Sequence, residues 1–174
     1  METYYIIVSK EEYGYLKQNG YLKTVYDDFI DEEKRMSVWM LAQMQIHLPY
    51  EAFNTSDEKN DFIFMFLNLD DICMEMRKDY IVLEIKKNPK HVVLFDDNDY
   101  VTVANNIMNN QAVTYLARSE DEAKEYETAS ETVIKASWDS MFDLTLPRDI
   151  SYCGSFSLRG ATPYVSYDMV IRKI

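Results

Sequence analysis

Glycine and proline are scarce, four of each in 174 residues, which excludes collagen-like and low-complexity architectures and leaves no flexible linker. Cysteine is scarcer still. Cys73 and Cys153 lie far apart in the chain, so a disulfide framework is excluded and both thiols are expected to be free. Apolar runs are short: residues 62–67 form one of the longest, far below the roughly 20 residues that span a bilayer. The opening METYYIIVSK also lacks the basic-then-apolar pattern of a signal peptide. A cytoplasmic protein without a membrane segment is expected.

His47 and His91 are the only histidines, and neither they nor the cysteines show the two-to-four-residue spacing of a zinc site. Gly14, Gly20, Gly154 and Gly160 form neither a phosphate loop nor a dinucleotide fingerprint. Ser155 and Ser157 lack a nucleophile-elbow context, and Cys153 before Gly154 reads as a packed small residue rather than a nucleophile. No cofactor and no metal are expected.

Positive charge is in deficit as well. Eighteen basic residues against thirty acidic ones leave a net charge of −12, which repels phosphate backbones and anionic lipid surfaces at long range. Direct nucleic-acid binding is therefore disfavoured. The same field steers basic proteins inward, including those that themselves bind nucleic acid, although acidity also serves plain solubility.

What the chain does have is apolar and aromatic mass, 47% and 14% of its residues. That is enough to remove roughly 70% of the unfolded surface of one domain of this length from water, and a single domain spanning residues 1–174 is expected. Residues 4–8 read as a strand; Ser9 and Glu12 form a capping box opening a helix that stops at Asn19-Gly20. A short strand, residues 21–25, leads into the acids Asp27, Asp28, Asp31, Glu32 and Glu33. Residues 31–48 carry Met36, Trp39, Met40, Met44 and Ile46 at helical spacing, a buried face with Pro49 beyond it. Residues 54–60 are a surface loop and residues 62–67 a strand; residues 69–78 predict a short helix, with Arg77 and Lys78 at the end its dipole favours for cations.

Residues 80–86 and 92–95 read as strands about the turn NPKH, close enough to pair as an antiparallel hairpin. Val92 to Phe95, apolar throughout, suits a strand buried on both faces at the centre of the molecule. Residues 101–108 suit helix or strand. Ser119 and Glu122 form a second capping box, opening a helix with Tyr126, Val133, Ile134, Trp138 and Met141 along one stripe and acids on the other. Residues 152–158 and 164–171 read as two closing strands joined by RGATP. Strands and helices interleave without a βαβ rhythm or a repeat, which predicts an α+β fold with a mixed or mostly antiparallel sheet.

Two constellations carry candidate chemistry. Asp96, Asp97 and Asp99, with Glu84 from the preceding strand and Asn105 after them, could orient water around a hard cation. The same aspartates also suit a turn and helix cap, and the glycine and terminal glutamate of an EF-hand are missing. The second constellation is the acidic face Glu120, Asp121, Glu122, Glu125, Glu127 and Glu131, joined by Asp27 and Asp28 as a partner-binding surface. Fourteen tyrosines add broad apolar area with polar tips, the kind found at interfaces and in ordinary cores. Tyr13 and Tyr15 are the interface candidates.

The strand, helix and glycine opening through Gly20, LFDDNDYVTVANN at 94–106 and SWDSMFDL at 137–144 together resemble bacterial domain-of-unknown-function family 3841. That resemblance implies no activity. Its central motif is similar to an aspartate followed by Trp-His and a closing Leu-Asn, where this chain has Tyr100-Val101 and Ala104-Asn105, so chemistry resting on that histidine is not expected here. The opening also looks like ADP-ribosyltransferase-type folds, but its first strand holds no arginine or histidine.

Two functions follow as expectations. The first is an acidic bacterial or phage interaction protein inhibiting a basic nucleic-acid-processing enzyme of a host-defence system, of the anti-CRISPR type. The alternative is an enzyme acting on RNA, nucleotide or ADP-ribose through the aspartate cluster, with or without a metal.

Overall fold

The computed structural model describes residues 1–23, 40–53, 62–97, 99–100, 119–122, 124–125, 136, 139–145 and 158–174. The chain divides into two compact units, one formed by residues 1–94 and 158–174 and the other by residues 95–157. The first carries a six-stranded sheet in the order β4-β5-β2-β1-β3-β6, except that the last two residues of β4, Phe95 and Asp96, fall within the second. The strands of the sheet are β1 (Glu2–Val8), β2 (Ile63–Phe66), β3 (Ile81–Lys87), β4 (Val93–Asp96), β5 (Leu158–Thr162) and β6 (Val170–Lys173). The ladders β1–β2, β1–β3, β2–β5 and β3–β6 are all antiparallel, and the fold is α+β as expected.

Alternation along the strands sorts the side chains onto two faces. Tyr4, Ile6 and Val8 of β1, Ile63 and Met65 of β2, and Ile81, Leu83 and Ile85 of β3 are buried in one cluster with Leu16, Leu22, Val92 and Val165. Leu16 belongs to α1 (Lys10–Asn19), which begins as the sequence dictates. Ser9 Oγ accepts from Glu12 N–H at 3.1 Å and Glu12 Oε2 accepts from Ser9 N–H at 2.7 Å. The helix stops at Gly20, whose φ of 81° is the left-handed conformation that suits glycine. On the other face Phe66, Ile72 and Val82 pack with Tyr5, Ile7 and Leu69, and the Arg159 guanidinium lies 3.8 Å over the Phe66 ring.

The predicted 69–78 helix is two pieces, a 3₁₀ turn, Leu69–Asp71, and α2 (Met74–Asp79). Arg77 joins them. Its Nε donates to Ile72 O at 2.9 Å and its Nη2 to Leu69 O, so its donors serve the carbonyls of the preceding turn. Residues 40–47 are helical, with Met40 and Met44 fully buried, while Ile46 is 73% exposed and leaves the expected core face. Residues 31–39 of that prediction lie outside the described residues.

Three expectations need correcting. β3 and β4 do not form a hairpin: β3 lies between β1 and β6, and β4 lies at the far edge beside β5. The five residues between them lead the chain to the opposite edge through a 3₁₀ turn, Pro89–His91. β4 is therefore not central, although Val92, Val93 and Phe95 are buried as predicted; β2 and β1 occupy the middle of the order. Lastly, Arg159 to Thr162 of the RGATP stretch is not a turn but most of β5. A Cβ at Gly160 would come within 3.0 Å of Val92 Cγ1 and 3.4 Å of Met65 Cβ, so this glycine serves close packing of neighbouring strands. Of the expected strand at 21–25, Tyr21 makes a single bridge to Ser166.

In the second unit, Phe95 is buried with ring neighbours Tyr100 and Phe142 at 5.7 and 6.5 Å. Met141 is buried; the rest of its predicted stripe lies outside the described residues. Among the described residues no helix is long and apolar enough to cross a membrane.

Candidate functional site

The aspartate cluster lies where β4 gives way to a helical turn. Asp96 is 2% exposed, and its Oδ1 accepts from Asp99 N–H at 3.5 Å. An aspartate at the end of a strand, followed by helical residues, meets amide N–H groups that have no partner within the turn. Asp97 and Asp99 are half-buried. Glu84, the strand carboxylate expected to join them, is held by Arg172 of β6, whose Nε donates to Oε2 at 2.7 Å. Asn105 lies outside the described residues. Among the described residues no three His, Cys, Asp or Glu side chains gather as a metal site.

The acidic helix is laid out differently. Ser119 Oγ accepts from Glu122 N–H at 3.1 Å, and residues 120–122 and 124–125 are helical. Glu120, Asp121 and Glu125 are exposed, whereas Glu122 is half-buried. Asp121 and Glu125 stand one turn apart, about 6 Å along the axis at the usual helical rise. Both are exposed, and neither they nor Glu120 is held by a basic side chain among the described residues. Glu127, Glu131, Asp27 and Asp28 lie outside the described residues.

Tyr13 and Tyr15 are both half-buried on α1. Tyr13 packs against the core beneath the ammonium groups of Lys17, at 4.9 Å from the ring centre, and Lys173, at 5.6 Å. The Tyr15 hydroxyl lies 2.7 Å from that of Tyr21, their rings meeting edge-on at 5.4 Å. Each tyrosine thus keeps part of its surface in water and spends the rest inside the fold.

One chemically unusual group went unnoticed in the sequence. Lys87, the last residue of β3, is 1% exposed. Its Nζ donates to Tyr164 O, lies 3.9 Å from Met169 Sδ and sits 5.7 Å from the Tyr164 ring centre. No carboxylate among the described residues pairs with it. Loss of water disfavours the charged form, and burial pulls its pKa down from 10.5 to about 8. Thr162, also buried, donates through Oγ1 to His91 O at 2.9 Å and at 3.5 Å to the same Tyr164 carbonyl. Strand alternation carried the signal, since Ile81, Leu83, Ile85 and Lys87 share a face. Opposite charge burial is seen at Tyr4, where desolvation first and the neighbouring Glu2 second push the phenol up to about 12.

No family model matches the chain, and no curated protein and no solved structure is significantly similar to it.

Proposed function

We propose that this protein acts by binding a basic protein, of the class that itself engages nucleic acid, through the acidic helical stretch beginning at Ser119. The observation that carries the reading is the exposure of Glu120, Asp121 and Glu125 on one capped stretch. A surface of this kind presents negative charge at helical intervals to the lysines and arginines of a nucleic-acid channel, and the net charge of −12 speeds encounter with such a partner. An inhibitor of a host-defence nuclease, of the anti-CRISPR type, is the most specific form of this proposal.

The other reading, an enzyme acting on RNA, nucleotide or ADP-ribose, requires carboxylates available to substrate or metal. Asp96 is buried on its own turn and Glu84 is paired with Arg172, which favours binding over turnover. Stoichiometry separates the two. Inhibition of a purified basic nuclease that saturates near one equivalent, weakens with salt and is lost when Glu120, Asp121 and Glu125 are changed to lysine supports the binding reading. Multiple-turnover cleavage of RNA with a divalent cation, abolished by Asp97→Asn, would replace it.

A further inference from the structure

The stretch from Tyr164 to the end of the chain closes over the outer edge of β3. β6 pairs with β3 through Leu83↔Lys173, Glu84↔Arg172 and Ile85↔Val170, with a register shift between Glu84 and Ile85. Ile174 N–H extends this ladder to Val82 O at 2.9 Å. The turn before β6 is tied from the other side by the residues that follow α1: Leu22 N–H donates to Val165 O at 2.8 Å and Tyr167 N–H to Gly20 O at 2.9 Å. Between these two sets of ties lies the Lys87 ammonium, covered by Tyr164 and Met169. A buried ammonium whose partners are a carbonyl, a thioether and a ring is poorly compensated for the water it has lost.

We propose that residues 164–174 form a proton-controlled strap, in which the cost of burying the Lys87 ammonium opposes closure, so that proton uptake loosens the strap and proton loss tightens it over the β3 edge. The charged and titratable groups around the amine leave this role to Lys87. Glu2 lies directly across the β1–β3 ladder, but its Oε2 accepts from the Tyr4 hydroxyl at 3.0 Å and forms no ion pair with Lys87. Asp168, in the turn above, is exposed. Lys173 of β6 lies over Tyr13, and the β5 side presents Thr162 and the main chain of His91. Opening returns the ammonium to water and bares the main-chain groups of Leu83 and Ile85, a sheet edge of the kind that accepts an added strand.

Millisecond hydrogen exchange on the whole protein tests the strap. With intrinsic exchange factored out, the opening constant of the Tyr167, Met169 and Ile174 amides should fall roughly 25-fold between about pH 7 and about pH 9.5, given an amine that titrates near 8 when closed and near 10.5 when open. Amides of the β1–β2 ladder should not follow. Lys87→Met should remove the pH dependence and leave the strap tighter at neutral pH, whereas Glu2→Gln should preserve it. A flat wild-type profile, or one abolished by Glu2→Gln, would overturn the proposal, and so would an unchanged profile in Lys87→Met. The wild-type and Glu2→Gln measurements stand even without the lysine variant.

Discussion

Two acidic stretches of the same unit use their carboxylates in opposite ways. At Asp96–Asp99 the first carboxylate is buried and turned onto the amide of Asp99; at 119–125 a serine takes the capping role and the acids Glu120, Asp121 and Glu125 face water. The difference arises from which oxygen satisfies the first helical N–H groups. Where an aspartate does it, a charge is consumed locally; where a serine hydroxyl does it, the acids of the first turn gain from the helix dipole and remain available to a partner. Density of acids along the chain is thus a poor guide to an acidic surface.

The contrast can be broken most forcefully by reversing Glu120, Asp121 and Glu125 to lysine. Binding to a basic partner should weaken by about 100-fold or more at low salt, with the association rate falling most. Stability should fall by no more than about 1–3 kcal/mol, the scale of the lost and reversed helix-dipole contributions at exposed positions; a larger loss would mean that these acids are structural after all.

Lys87 extends the comparison to cations. Arg172, largely exposed, holds a carboxylate, while Lys87, buried, has none. Lys87→Met should therefore stabilise the protein at neutral pH by about 2–3 kcal/mol, the scale of a lysine pKa lowered to about 8, measured by denaturant unfolding. In the wild type the unfolded chain binds more protons on this lysine than the folded one between pH 8 and 10.5. Stability from this group should therefore rise with pH through that window. Above pH 10 Tyr4 acts the other way: its folded pKa of about 12 means stability is lost as pH rises from 10 towards 12.

Smaller effects sharpen the same distinction. Asp96→Ala should cost about 1–2 kcal/mol as a lost cap, against about 0.5 kcal/mol or less for Asp121→Ala, both read from urea midpoints. Glu84→Gln should cost less than about 1 kcal/mol, because Arg172 is largely in water.

Local chemistry made much of the fold legible. Ser9, Glu12 and Gly20 marked both ends of α1 because capping is decided within a few residues, and short apolar runs marked β1, β2 and β3. Neighbour relations in the sheet were not legible. The short span between β3 and β4 reads as a hairpin only if both strands share an edge, and nothing within five residues reveals that the chain instead goes to the far side of the sheet. RGAT looked like a turn because glycine suits turns and crowded strands equally, and only the approach of Val92 separates the two at Gly160. At the candidate site, the serine cap of the second helix was readable from Ser119, whose Oγ accepts from Glu122 N–H. The burial of Asp96 and the capture of Glu84 by a residue 88 positions later depend on tertiary placement.

The central claim, that the 119–125 stretch is a docking surface for a basic protein, is tested most directly by titrating one purified basic nuclease with the wild type and with the Glu120→Lys, Asp121→Lys, Glu125→Lys triple variant at low and high salt. The account predicts a near-stoichiometric, salt-sensitive complex for the wild type and a large loss for the variant. Equal affinity of the two proteins at low salt would contradict it.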